Sequence, residues 1–112
     1  MSYHNIDQVM SELRKIHHEQ TRRESEDYLE MVMFHESLPE LRKIFDNYFG
    51  PAIKPYGKAP DPASQEISTP YGGVAQDQTL YHTVRDNAPQ VAMIWPWSDG
   101  KRVTVKIAQE WP

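Results

Sequence analysis

The sequence has no cysteine among its 112 residues. This excludes disulfide frameworks, thiolate zinc sites and cysteine nucleophiles. No apolar run approaches the roughly 18 residues that a membrane-spanning helix requires, so we expect no membrane association. The first ten residues also lack the basic and apolar regions of a secretory signal. We therefore expect a cytoplasmic protein.

A basic excess is missing as well. Residues 1–49 carry ten acids and six bases, and residues 50–112 carry six of each. Neither half has the cluster of lysines and arginines that neutralises a phosphate backbone. Nucleic acid is therefore disfavoured as a partner.

Catalytic and metal-binding motifs are also absent. The chain has no Gly-x-Ser-x-Gly elbow and no glycine-rich phosphate loop. The histidines do not occur at the Glu-x-x-His or His-Glu-x-x-His spacing that places two ligands on one helix face; they are His4, His17, His18, His35 and His82. We predict no metal, no cofactor and no catalytic residue.

Glycine is absent before Gly50, and the first 49 residues hold one proline, Pro39. Apolar residues recur at helical spacing from Ile6 to Ile16, and Asn5 is a suitable helix cap. A second helix start lies at residues 37–40, Ser-Leu-Pro-Glu, and this helix ends at Gly50. We therefore predict that residues 1–49 are the helical part of the chain.

The course of the chain between these two starts remains open at this point. Residues 17–27 have no aliphatic side chain, and residues 28–34 are apolar almost all round. One long helix could cover residues 6–36, or the chain could turn near residues 18–22 and begin a second helix. A helical stretch without a buried face is hard to sustain from intrinsic propensity alone.

The pentapeptide ELRKI occurs twice, at residues 12–16 and 40–44. In both copies the leucine and isoleucine fall on the apolar stripe of a predicted helix, and the charged residues lie outside it. Pro39 and the polar stretch between the copies interrupt any heptad pattern. We interpret the match as convergence on helix-forming residues, without a functional meaning.

Residues 50–73 hold five of the nine prolines and four of the five glycines. This composition predicts an irregular connection. The tripeptide Pro-Tyr-Gly occurs twice, at residues 55–57 and 70–72. Its tyrosines either pin the connection onto the domain or belong to a mobile loop that closes over a ligand.

The apolar period changes to two from about residue 78, which predicts strands. Asp99-Gly100 is a hairpin signal between residues 90–97 and the strand that follows. We predict a three-stranded antiparallel meander in residues 74–112. The expected fold class is therefore α+β, a single domain of residues 1–112 with two or three N-terminal helices packed on the meander.

The middle strand is apolar on both faces. We expect the helices to cover the face of Val91, Met93 and Trp95, which leaves Ala92 and Ile94 to face away from them. Either the proline-rich segment or a second copy of the chain would then cover that other face.

These patterns favour a non-catalytic accessory or regulatory protein that binds another protein, as a homodimer. The alternative is a small ligand-binding protein or enzyme with its site between the Pro-Tyr-Gly loops and the tryptophans. A third possibility is a monomer whose proline-rich segment completes its own core. Bases on the outer side of the sheet would suit an acidic partner; they are Arg85, Arg102 and Lys106. The interface or ligand-binding candidates are Tyr71, Tyr81, Ala92, Ile94, Trp95, Trp97 and Trp111.

Overall fold

The computed structural model describes residues 3–110 and consists of three helices and a five-stranded sheet. The helices are α1 (Ile6–Lys15), α2 (Leu38–Phe49) and α3 (Pro62–Ser68). The strands are β1 (His18–Glu24), β2 (Tyr28–Phe34), β3 (Thr79–Arg85), β4 (Ala88–Pro96) and β5 (Arg102–Gln109). The spatial order is β1-β2-β5-β4-β3, antiparallel throughout.

The α+β class is confirmed, but the prediction of three strands is wrong. The predicted meander is present as β3, β4 and β5, and two further strands extend the sheet beyond β5. These strands come from residues 18–34, which we had predicted to be helical. Strand β2 lies between β1 and β5, and four of its seven residues are buried. A buried strand is apolar all round, as a buried helix is, so the pattern of residues 28–34 does not separate the two.

Helices α1 and α2 pack on one face of the sheet, which we call the inner face. Asn5 begins α1 as predicted, because its side chain accepts a hydrogen bond from the Gln8 N–H at 3.0 Å. The leucine and isoleucine of both ELRKI copies are buried in this layer. The sheet contributes apolar side chains from four strands: Leu29, Met31, Met33, Tyr81, Ala92, Ile94, Val103, Val105 and Ile107.

The opposite face, which we call the outer face, is partly covered by the proline-rich segment. Val74, Ile67 and Tyr71 pack there against a smaller cluster of buried sheet residues, Leu80, Val91, Met93 and Ala108. Our assignment of faces was therefore wrong, because Ala92 and Ile94 point towards the helices. Alternation along a strand gives the two faces but does not tell which of them meets the helices.

The proline-rich segment is more regular than its composition predicts. Asp61 caps α3 by accepting a hydrogen bond from the Ser64 N–H at 2.7 Å, and Pro62 occupies the first turn, where no N–H is needed. The prediction that residues 50–73 form no regular structure was thus wrong. Proline at a helix start is compatible with the helix, unlike proline in its interior.

Lys54 anchors this segment to strand β3. Its ammonium group donates to the carbonyls of Gln76 at 2.6 Å, Pro55 at 3.1 Å and Gln78, and the residue is only 1% exposed. Its backbone forms an isolated bridge with Leu80. The segment is therefore held by both backbone and side-chain hydrogen bonds.

Candidate functional site

The sequence-predicted candidates lie on both faces of the sheet. Tyr81, Ala92 and Ile94 are 0–2% exposed in the inner core, beneath α1 and α2. Ala92 and Ile94 are therefore not accessible to a ligand or a partner in this conformation, whereas Tyr81 lines a groove beside α2. Tyr71 and Trp95 lie together on the outer face. Trp97 follows β4 and is half-buried, and Trp111 lies outside the described residues.

The second Pro-Tyr-Gly tripeptide packs directly on Trp95. A Cβ atom at Gly72 would lie 2.8 Å from the Trp95 ring, and the φ angle of +105° is one that glycine adopts without strain. Lys106 lies 3.5 Å from the ring centroid of Trp95 and donates a hydrogen bond to the Tyr71 carbonyl at 2.9 Å. The first tripeptide behaves differently, since Tyr56 is 62% exposed.

A cavity of about 440 Å³ opens beside this contact, and we call it the outer-face cavity. Its size lies within the range of small-molecule sites. The residues around it come from β1, the β1–β2 turn, β2, the end of the proline-rich segment and β5. They include Arg23, Tyr28, Glu30, Pro70, Tyr71 and Lys106.

The acids of this cavity already have partners. Glu30 accepts a hydrogen bond from the Tyr28 hydroxyl at 2.6 Å and lies 3.8 Å from the Arg22 guanidinium. Glu24 pairs with Arg14 at 2.8 Å. Burial and then the hydrogen bond to Glu30 raise the pKa of Tyr28, so its hydroxyl stays protonated as a donor.

The bases of the cavity are less occupied. Within residues 3–110, neither Arg23 nor Lys106 forms a salt bridge; Arg23 lies 5.6 Å from the ring centroid of Tyr28. Burial lowers the pKa of Lys106, while nearby Glu30 opposes this shift. The charged groups of the outer-face cavity that have no ion-pair partner are therefore hydrogen-bond donors.

Trp97 is surrounded by bases beyond the cavity. The guanidinium groups of Arg22 and Arg102 lie 5.4 Å and 5.7 Å from its ring centroid, and its N–H donates to the Thr104 hydroxyl at 2.8 Å. Two of the three predicted outer-face bases, Arg102 and Lys106, thus occupy that face. The third, Arg85, instead lies 4.1 Å from the Tyr48 ring centroid.

The edge of the sheet at β3 is a second candidate surface. The N–H and C=O groups of Leu80 point outward to residues 53 and 54. By alternation the same groups of His82 and Val84 also point outward, and in the described part of the chain no backbone group outside the sheet pairs with them. The large apolar side chains exposed among residues 3–110 are Ile53 (37%), Tyr56 (62%) and Val84 (56%). All three belong to β3 or to the segment paired with it.

The opposite edge differs in chemistry. Strand β1, with the sequence HEQTRRE, is exposed along most of its length, carries four charged residues and has two register shifts. Charges and bulges are common means of preventing further strand pairing. The two edges are therefore unequal, and β3 is the less protected one.

Most of the residues around these two surfaces were not predicted. Arg23, Tyr28 and Glu30 were missed because residues 17–34 were predicted to be helical, so the β1–β2 hairpin that brings them together was not predicted. Ile53 and Val84 gave no signal, since single exposed apolar residues are common on protein surfaces. Among the described residues, no three His, Asp or Glu side chains are placed to hold a metal ion. None of the helices in that range is both long and apolar enough to cross a membrane.

Comparison with known protein families, with curated proteins and with solved structures gave no significant match to this chain.

Proposed function

We propose that the protein acts without catalysis, by protein–protein binding, and that it forms a homodimer through the edge of β3. The supporting observation is that the open backbone groups at His82 and Val84 coincide with an exposed apolar side chain, that of Val84 (56% exposed). An exposed strand edge is a ready template for pairing with another chain.

A second copy of the chain fits this edge by symmetry. A two-fold axis through Val84 would place the strand antiparallel to its own copy, with Val84 opposite Val84. The two would exchange both backbone hydrogen bonds, because both groups of this residue point outward. The same axis brings His82 opposite Asp86, whose carboxylate can accept a hydrogen bond from the imidazole N–H.

The part of the β3 edge with unpaired backbone groups is short, and this limits the affinity of the dimer. Residues 53 and 54 already occupy the edge at Leu80, and Asp86 and Asn87 begin the turn into β4 with positive φ angles. Only a few residues remain for pairing. We therefore expect a dimer with a dissociation constant of about 10 μM or weaker.

The experiment is sedimentation equilibrium from about 10 μM to 1 mM protein. Wild-type protein should approach twice the chain mass at the upper end. Val84→Lys should raise the dissociation constant at least about tenfold, because both copies lose a buried valine contact of roughly 1.5–3 kcal/mol. Thr21→Lys on the exposed β1 edge is the matched control and should leave the dimer unchanged.

Two outcomes would overturn the homodimer. One is wild-type protein that remains monomeric at about 1 mM. The other is a dimer that Val84→Lys does not weaken, since its interface would then lie elsewhere.

A further inference from the structure

The outer-face cavity has the size of a small-molecule site, and its assignment does not depend on the β3 edge. From the contacts around it we infer that this cavity binds a small organic anion, with a flat aromatic body and a carboxylate or phosphate group. Three observations carry the inference: the charge balance, the aromatic walls and the way in which the cavity is held in shape.

The charge balance favours an anion. The two acids at the cavity are each close to an arginine, Glu30 to Arg22 and Glu24 to Arg14. Both arginines lie outside the lining, and among the described residues Arg23 and Lys106 are the lining charges without an ion-pair partner. Guanidinium groups bind carboxylate and phosphate through paired hydrogen bonds. Among the described residues that line this cavity, each carboxylate already lies near an arginine, so none is free to bind an added cation.

The aromatic walls favour a flat body. Tyr28 and Tyr71 both line the cavity, with Pro70 beside them. The hydroxyl groups of both tyrosines are bound, to Glu30 at 2.6 Å and to Glu110 at 2.8 Å. These bonds fix the ends of the rings, and since both residues are only partly buried, part of each ring can contact an apolar or aromatic group.

The cavity is also held in shape without a ligand. Lys106 ties β5 to the Tyr71 carbonyl, and the close contact between Gly72 and Trp95 holds the end of the proline-rich segment on the sheet. Side chains that are already ordered lose less conformational freedom on binding. A weak ligand can therefore bind here without first ordering a loop.

The test is a titration followed by nitrogen–proton correlation spectra of the full chain, with three probes. Benzoate and phenyl phosphate carry the predicted anionic groups, and benzamide is the neutral analogue of benzoate. We expect both anions to shift the amide signals of residues 23–30, 71–72 and 106. Benzamide should bind at least about tenfold more weakly, because it lacks the charge that Arg23 recognises.

Two variants locate the site. Arg23→Gln should weaken benzoate binding at least about tenfold, since the variant loses a charge-assisted hydrogen bond to the anion. Arg23 is exposed, so this variant is expected to fold. Lys43→Gln removes an exposed base on α2, away from the cavity, and should bind benzoate as the wild type does.

Several results would overturn the inference. They are the absence of shifts with both anions up to about 10 mM, equal binding of benzoate and benzamide, and unchanged binding to Arg23→Gln. Equal weakening by Lys43→Gln would mean that the anions respond only to the overall charge of the protein. Stronger binding of phenyl phosphate than of benzoate would support the inference and identify phosphate as the preferred group.

Discussion

Replacing Lys54 with methionine should destabilise the protein by about 2–4 kcal/mol. The lysine ammonium donates to three backbone carbonyls, those of Pro55, Gln76 and Gln78, in an almost fully buried position. Hydrogen bonds to a charged group contribute about 1.5–3 kcal/mol each. The cost of removing the ammonium from water offsets several kcal/mol of this sum. Methionine fills a similar volume, so the cavity cost is small, and all three carbonyls lose the ammonium group as a hydrogen-bond donor.

The assay is urea unfolding followed by tryptophan fluorescence. Lys58→Met is the matched control, because Lys58 is an exposed lysine in the same segment and should change the free energy of unfolding by less than about 0.5 kcal/mol. Hydrogen exchange should also accelerate at the amides of Gly57 and Leu80, which bond to Gln76 and Lys54. A Lys54→Met protein as stable as the wild type, with unchanged exchange, would refute the anchoring role of this side chain.

Two further predictions concern the tyrosines and the second Pro-Tyr-Gly loop. Burial, and then a hydrogen bond to a carboxylate, raises the pKa of three tyrosines above the ordinary value of 10.0. These tyrosines therefore stay protonated to a higher pH in the folded state than in the unfolded state. Because the unfolded state loses its protons first, the free energy of unfolding should fall as the pH rises past 10. Phenolate absorbance and unfolding, measured together, should show Tyr28, Tyr71 and Tyr81 titrating late; titration at the ordinary value in a folded protein would contradict this. Gly72→Ala should destabilise the protein by about 2–4 kcal/mol through backbone strain and the clash with Trp95, whereas Gly57→Ala, with a similar φ angle of +87° and no atom within 4 Å of the added Cβ, should cost about 1–2 kcal/mol. Urea unfolding compares the two, and equal losses would mean that the Trp95 contact contributes nothing.

The C-terminal hairpins were predictable because their signals are local. Asp99-Gly100 and the alternation along β5 are read within ten residues, and both features appear in the structure. Strand β1 gave no such signal, because an exposed edge strand that is polar on both faces does not alternate. Helix α3 was hidden by the many prolines around it, although Asp61 and Pro62 are ordinary helix-start residues.

The candidate site was less predictable than the fold for a different reason. The residues around the outer-face cavity are distant in sequence, from Arg23 to Lys106. They come together through the pairing of β1 with β2 and of β2 with β5, and through the packing of the proline-rich segment on the sheet. The placement of Ala92 and Ile94 also depends on which face of the sheet the helices cover. That choice depends on the packing of the whole chain and not on the local sequence. Sequence reasoning did bring Tyr71 and Trp95 into one candidate set, and the structure places them in one cluster.

The position of β5 in the sheet has a consequence for synthesis on the ribosome. It is the last of the five strands along the chain, yet it lies in the centre, with Leu29 of β2 opposite Ile107. A nascent chain that ends before residue 102 can form the β1–β2 and β3–β4 hairpins, but it cannot join them. Until β5 emerges, the edges of β2 and β4 that pair with β5 stay unpaired, and such unpaired edges are prone to aggregation. The two hairpins can therefore join only after β5 has been translated, and the complete sheet folds after that point.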